Sequence, residues 1–448
     1  MKPRDSFGSQ FGVLVAVAGS AVGLGNFWRF PYMVGTYGGA AFIIVYLLFM
    51  AILLPIMFSE FVIGRRAQSN AYGAFKVLAP GTRWKGIGLL SVAASISILS
   101  FYCVVGGWTI EYIFQSVTGK LSSDAAIVSQ TFEHFVTSSF RPILWHLLFL
   151  GISAVIVVAG IKNGIEKYAK ILMPVLLLMT IFLAVWSLCL PGASKGVAFL
   201  FNPDFSRITG ESLLATMGQA FFSLSLGMGC VVTYASYVKK ENNIMKLGTG
   251  AGLADLGFAL LASLAIMPAV FAFDISPSEG PGLVFIILPR IFAQLPLGDV
   301  FAFVFFVCLF IAAVTSSISL IEVVTAYSTE ELKLSRRTSV VITFIIVAIF
   351  GSLSSLSQGV LKDVTIFGKG FFDMFDYLSS NILLPLGGLL IVIFTGWVLK
   401  KKVVKDELSS GGLYRVPIFG TIMFVIKFVA PIAISLIFLN SLGLLKLF

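Results

Sequence analysis

The residues best suited to chemistry in this chain form a glycine-broken polar stretch, Gly19-Ser-Ala-Val-Gly-Leu-Gly-Asn-Phe-Trp-Arg-Phe-Pro31, inside its first membrane-length apolar segment. In hydrocarbon every unpaired N–H or C=O is costly, so non-helical backbone persists there only when buried in protein or facing a wet cavity. Gly19, Gly23 and Gly25 weaken the helix at that depth. Unwinding frees carbonyls that can coordinate a cation and amides that can hold a carboxylate. Asn26 adds a side-chain amide oxygen, and Arg29 follows within one turn. The plainer alternative is a spanning helix whose small residues pack against a neighbour, but Asn26 and Arg29 are expensive on such a face.

A second interruption, Gly218-Gln-Ala-Phe-Phe-Ser-Leu-Ser-Leu-Gly-Met-Gly229, stands in the corresponding place of the second half. Paired interruptions of this kind point to a carrier site at the interface of two inverted repeats. Half-helix ends meeting there offer positive poles to an anion and carbonyl poles to a cation. An amino acid beside sodium suits both.

The elements that must position these residues are membrane helices. A chain that is 58% hydrophobic and 12% charged, with a mean hydropathy of +0.99, is a polytopic membrane protein and not a soluble domain. Apolar runs long enough to cross the hydrocarbon recur near residues 10–35, 40–64, 87–115, 143–160, 167–190, 213–237, 247–273, 298–327, 338–357, 374–399 and 421–444. That pattern predicts eleven transmembrane helices in an all-α fold, with helices 1 and 6 unwound at mid-membrane. Residues 274–297 read as a long outer loop carrying a short hairpin of helices. The chain reads as one transporter domain over 1–448: repeat one about 8–190, repeat two about 211–400, and an extra helix about 417–445.

Lysines and arginines crowd alternate loops: Arg65 to Lys85, Lys162 to Lys170, Lys239 to Lys246, Lys333 to Arg337 and Lys400 to Arg415. By the positive-inside rule these loops and the N-terminus are cytoplasmic, and an odd number of spans puts the C-terminus outside. The net charge of +10 is thus a topology signal and not a nucleic-acid footprint. Cys103, Cys189, Cys230 and Cys308 lie in or beside apolar spans and imply neither disulfides nor a metal cluster. His134 and His146 read as interfacial residues. No hydrolase elbow, phosphate loop or zinc-helix motif is present, which argues against an enzyme.

These two interruptions, with Phe101-Tyr-Cys-Val-Val-Gly-Gly-Trp108, Thr233-Tyr-Ala-Ser-Tyr237 and Ala312-Ala-Val-Thr-Ser-Ser317, resemble the neurotransmitter:sodium symporter family, particularly its bacterial amino-acid branch. The resemblance covers nearly the whole chain. It implies one sodium held by the carbonyls of Gly19, Val22 and Ala312 and the hydroxyls of Thr315 and Ser316. Read alone, Thr315-Ser-Ser317 could equally back-bond to its own helix. A second sodium would meet the Ala21 carbonyl, Asn26, Ser223 and Asp255, with the substrate carboxylate as a shared ligand. Many members carry Asn at the position of Asp255, and chloride-coupled ones have a serine where this chain has Ala259. A fixed carboxylate would replace chloride, so chloride independence is expected.

The same resemblance places the substrate carboxylate on the Leu24 and Gly25 amides and the Tyr102 hydroxyl. Its ammonium would meet carbonyls of Ala21, Phe222 and Ser223 and the Ser225 hydroxyl. Gly23 stands where monoamine carriers have an aspartate, which favours a substrate with its own carboxylate. Ser20, Ile98, Phe222, Met228, Ser316 and Leu320 would line an apolar side-chain pocket without counter-charge. A neutral hydrophobic amino acid, aromatic or branched, follows. The outer gate would be Arg29 with Asp376, closed over by Tyr102 and Phe222. The inner gate would be Arg4 with Glu330, supported by Ser236, Tyr237 and Glu322. Glu60 would cap backbone groups of the unwound segments. These features predict sodium-driven import across a bacterial inner membrane by a monomer or weak dimer. A non-transporting sensor with the same fold is the alternative.

Overall fold

The computed structural model describes residues 5–273, 275 and 283–444, and the described residues form helices with no β-strand. Nine of these helices are long and apolar enough to cross a bilayer: Ala40–Ala67, Arg83–Val117, Arg141–Val158, Ile161–Leu188, Ile244–Ala272, Gly298–Glu330, Arg336–Leu356, Phe371–Val398 and Phe419–Ser441. The first segment adds a tenth as two half-helices, Gln10–Ala21 and Gly25–Thr36, bent by 54°. The sixth is broken into Gly210–Ser223 and Cys230–Ala235. Those halves are too short to count by the same measure, so the expected total of eleven rests on them. Segments are numbered 1 to 11 in chain order below, with 1 and 6 the broken ones.

Local signals fix where the helices begin. Ser9 caps segment 1 by accepting from the Gly12 amide, Thr209 and Ser212 form a reciprocal capping box at segment 6, and Asn243 and Ser335 cap segments 7 and 9. Each satisfies amides that the first helical turn leaves without partners.

Segments 3 and 8 are the most enclosed, with 72% and 83% of their apolar windows buried, against 33% for segments 5 and 11. The former are the central scaffold, and the latter face outward. Gly64 lets segment 2 lie directly on the Val232 carbonyl of segment 6, since any side chain at that position would collide with it.

One expectation, that for His146, changes. The outer loop shows one short apolar helix, Leu283–Phe292, among its described residues, and the rest of the expected hairpin lies outside them. His146 is not interfacial but fully buried, because Gly107 and Gly351 on segments 3 and 9 leave room for it. Cys189 is exposed, whereas the other three cysteines are buried.

On the lysine-rich side, buried Arg65 ends segment 2 and joins three elements. Its Nε meets Glu407 Oε2 at 2.8 Å, and its Nη1 donates to the Asn242 carbonyl at 2.6 Å and Ser410 Oγ at 3.1 Å. Removing one partner of a buried pair leaves the other uncompensated. Arg65→Ala is therefore expected to lower stability by about 3 kcal/mol, while Arg66→Ala, on a half-exposed neighbour, costs under about 1 kcal/mol. Thermal unfolding in detergent checks both, and equal midpoints for the two variants would remove Arg65 from this role.

Candidate substrate and ion site

The two helix breaks face each other at the centre of the fold. In segment 1 the backbone turns extended at Val22. The Gly23 amide donates to Asn26 Oδ1 at 2.9 Å, and the Leu24 amide donates to Tyr102 Oη of segment 3 at 3.2 Å. In segment 6, Ser225, Gly227 and Gly229 take left-handed conformations with φ of 55°, 78° and 79°. Buried Glu60 accepts the Gly227 amide at 2.8 Å, which is the backbone-capping role expected of it. Gly227 also abuts the Leu384 carbonyl of segment 10, so its space as well as its φ requires glycine.

Between the breaks lies a pocket of about 30 Å³ that brings together every residue expected at the substrate. Leu24, Gly25 and Tyr102 form one end, Ala21, Phe222, Ser223 and Ser225 the next, and Ser20, Ile98, Met228, Ser316 and Leu320 the remainder. Ser225 Oγ donates to the Ser20 carbonyl at 2.8 Å and lies 3.3 Å from Ser20 Oγ, and its second lone pair can accept from an ammonium. Ser319 also lines the pocket and accepts from Ser20 Oγ at 2.9 Å. It was not anticipated, although it lies three residues beyond Ser316, on the same face of segment 8. Phe222, Met228 and Leu320 line the pocket's side-chain end, and unbranched methionine repacks readily around different shapes.

Two oxygen clusters flank the pocket. In the first, Asp255 Oδ1 accepts from Asn26 Nδ2 at 2.7 Å and Ser223 Oγ at 2.6 Å, and Oδ2 accepts from Tyr46 Oη at 3.0 Å. Asp255 is wholly buried and thus is not a solvated interfacial residue. Tyr46 had no signal of its own in the apolar run of segment 2. In the second cluster, Ser316 Oγ lies 3.4 Å from the Gly19 carbonyl and 3.3 Å from that of Val22. Thr315 Oγ1 donates to the Ile311 and Ala312 carbonyls at 3.1 and 3.0 Å. The back-bond to its own helix is thus real, and it uses the hydroxyl proton while leaving oxygen lone pairs. Apart from Asp255 these oxygens carry no formal charge, and no group of three His, Cys, Asp or Glu residues exists among the described residues. Such a set suits a monovalent ion, whereas a hard divalent ion recruits carboxylates.

Above the pocket, Tyr102 and Phe222 form the floor of a cavity of about 400 Å³, which Arg29 and Asp376 also line. The expected Arg29–Asp376 ion pair is absent among the described residues. Asp376 Oδ1 accepts instead from Ser380 Oγ at 2.9 Å. The opposite side is packed shut. Phe7 is buried against Tyr234 and Tyr237, and Glu166 accepts from the Gly8 amide and Ser9 Oγ at 2.6 and 3.0 Å. Tyr237 donates to Glu322 Oε1 at 2.8 Å, and Glu322 pairs with Arg336 at 2.5 Å. Arg4 lies outside the described residues. Its expected partner Glu330 accepts from the Asn70 amide at 2.8 Å.

A bundle of membrane helices with two broken segments around one small site, a cavity on one side and packed aromatic side chains on the other, has the architecture of a carrier. The profile of the Sodium:neurotransmitter symporter family matches residues 4–137 and 136–446, and the chain belongs to that family of multi-pass, sodium-coupled membrane transporters. It is 40% identical to an uncharacterised sodium-dependent transporter of Bacillus subtilis, YhdH, over 98% of each chain. It is 27% identical to the sodium-dependent dopamine transporter of Bos taurus, over 96% of this chain and 67% of that one. The crystal structure of MhsT in complex with L-phenylalanine superimposes with a TM-score of 0.90 at 45% identity, over 98% of this chain and all of that one.

Proposed function

We propose that this chain imports neutral hydrophobic amino acids, aromatic or branched, with sodium and without chloride, by alternating access between the outer cavity and the sealed side. The observation that carries this reading is that Tyr102 Oη and the Leu24 amide meet at one pocket whose Gly23 and Ser223 also bond the flanking Asn26–Asp255 pair. A carboxylate at Leu24, Gly25 and Tyr102 stands beside the Ala21, Asn26, Ser223 and Asp255 oxygens, so it can complete the shell of one sodium. Gly19, Val22, Ala312, Thr315 and Ser316 would hold a second. The MhsT relative was crystallised with an aromatic amino acid, which supports the substrate class.

In this reading segment 6 is a true crossing and the eleventh span. Residues 8–190 and 211–400 are inverted repeats, and 417–445 is an added helix. The lysine-rich loops and N-terminus face the cytoplasm of a bacterial cell. Arg29–Asp376 and Arg4–Glu330 close the two sides in turn.

Uptake of radiolabelled amino acids into proteoliposomes tests the proposal. An inward sodium gradient should drive accumulation of phenylalanine, tryptophan or leucine, unchanged when gluconate replaces chloride. Saturable binding without accumulation would make the protein a sensor instead.

A further inference from the structure

Segment 11 carries a lysine at membrane depth whose charge the fold leaves unmatched. Lys427 lies eight residues beyond the start of Phe419–Ser441, about 12 Å along the helix. Its ammonium stands 5.1 Å from the Trp397 ring centre, and no ion pair within 4 Å engages it among the described residues. The acidic residues nearest in the sequence, Asp406 and Glu407, are already paired with Arg65 and Arg66. An intramembrane ammonium is expensive unless partnered, and a long lysine stem lets it reach toward the interface.

The surroundings have the two halves of a lipid site. Trp397, Phe424 and Phe428 are exposed large side chains in mutual ring contact, with centroids 5.7 and 5.6 Å apart. They form an apolar ledge where the end of segment 10 meets outward-facing segment 11. Directly after segment 10, the helix Lys401–Leu408 presents Lys401 and Lys405 one turn apart, their ammonium groups 5.8 and 5.9 Å from the Phe419 ring centre at the start of segment 11. Exposed Lys400 and Lys402 adjoin them. A basic cluster immediately beside a membrane helix attracts anionic lipid.

We propose that Lys427, Lys401 and Lys405 bind the headgroup of one anionic phospholipid in the leaflet on the lysine-rich side, with its acyl chains along Trp397, Phe424 and Phe428. A zwitterionic lipid brings its own ammonium and leaves the lysines uncompensated. Free phosphate has the right charge but nothing to cover the aromatic ledge. The lipid bridges segments 10 and 11 on the lysine-rich side, away from the transport site.

Native mass spectrometry of the full chain, with phosphatidylglycerol or phosphatidylcholine of identical acyl chains added, tests this. One phosphatidylglycerol should be retained in clear preference to phosphatidylcholine and resist millimolar inorganic phosphate. Lys427→Gln and the double variant Lys401→Gln/Lys405→Gln should each lower its occupancy about fivefold or more. Lys427→Arg should keep it, which separates lost charge from lost folding. Equal retention of the two lipids, undiminished retention by Lys427→Gln, or displacement by inorganic phosphate would overturn the proposal.

Discussion

Asp255→Asn is expected to raise the sodium concentration needed for half-maximal uptake about 10- to 100-fold. The carboxylate gathers donors from Asn26, Ser223 and Tyr46, and hydrogen bonds to a charged group are each worth about 1.5–3 kcal/mol, with 1.4 kcal/mol per decade of affinity. It is also the one formal negative charge beside the proposed sodium and the substrate carboxylate. Chloride should not rescue this variant, because Ala259 offers no hydroxyl where chloride-coupled relatives have serine. Adding Ala259→Ser to Asp255→Asn should bring back uptake that now requires chloride. Sodium titrations of uptake in chloride and in gluconate measure both effects. An unaltered sodium requirement in Asp255→Asn would remove the carboxylate from the ion site.

Gly23→Asp should abolish amino-acid uptake, by about 100-fold or more. A Cβ at Gly23 would sit 2.6 Å from Ser316 Oγ and 2.8 Å from Tyr102 Oη, inside contact distance of two groups that the site needs in place. Overpacking of this kind costs about 1–3 kcal/mol, and the added carboxylate then repels that of the substrate in a buried, low-dielectric pocket. Gly25→Ala is the matched control. Its Cβ would meet only Gln219 Nε2 at an ordinary 3.6 Å, so uptake should stay within about threefold of the unmodified protein. Uptake alongside size-exclusion profiles separates a blocked site from a misfolded one, and equal losses in the two variants would count against the assigned geometry.

What was legible in the sequence follows from where its signals are local. Glycines and polar residues inside apolar runs mark breaks because hydrocarbon tolerates them nowhere else, so the Gly19–Pro31 and Gly218–Gly229 breaks could be read directly, while their pocket residues followed from the family resemblance. Tyr46 and Ser319 could not. A tyrosine or serine in an apolar helix carries no mark of its partner, and Asp255 and Ser20 are brought to them only by packing of distant segments. Arg29 and Asp376, expected as a gate pair, line one cavity without pairing, and whether two such charges touch is a matter of geometry that composition does not encode. His146 misled because a histidine near a helix end ordinarily seeks water, and the glycines that admit it to the interior lie on two other segments. The count of eleven helices is ambiguous for a physical reason as well. Breaking segment 6 shortens both halves below the length at which apolarity alone identifies a crossing.

The central claim is that one site holds amino acid and sodium as shared ligands, and its most direct test is equilibrium binding measured from both sides. Titrating radiolabelled phenylalanine at rising sodium should show its affinity increase, and titrating sodium at rising phenylalanine should show an increase by the same factor, as linkage requires. Asn26→Ala should reduce that factor toward one. Phenylalanine binding that is indifferent to sodium, or a coupling that survives intact in Asn26→Ala, would contradict the account.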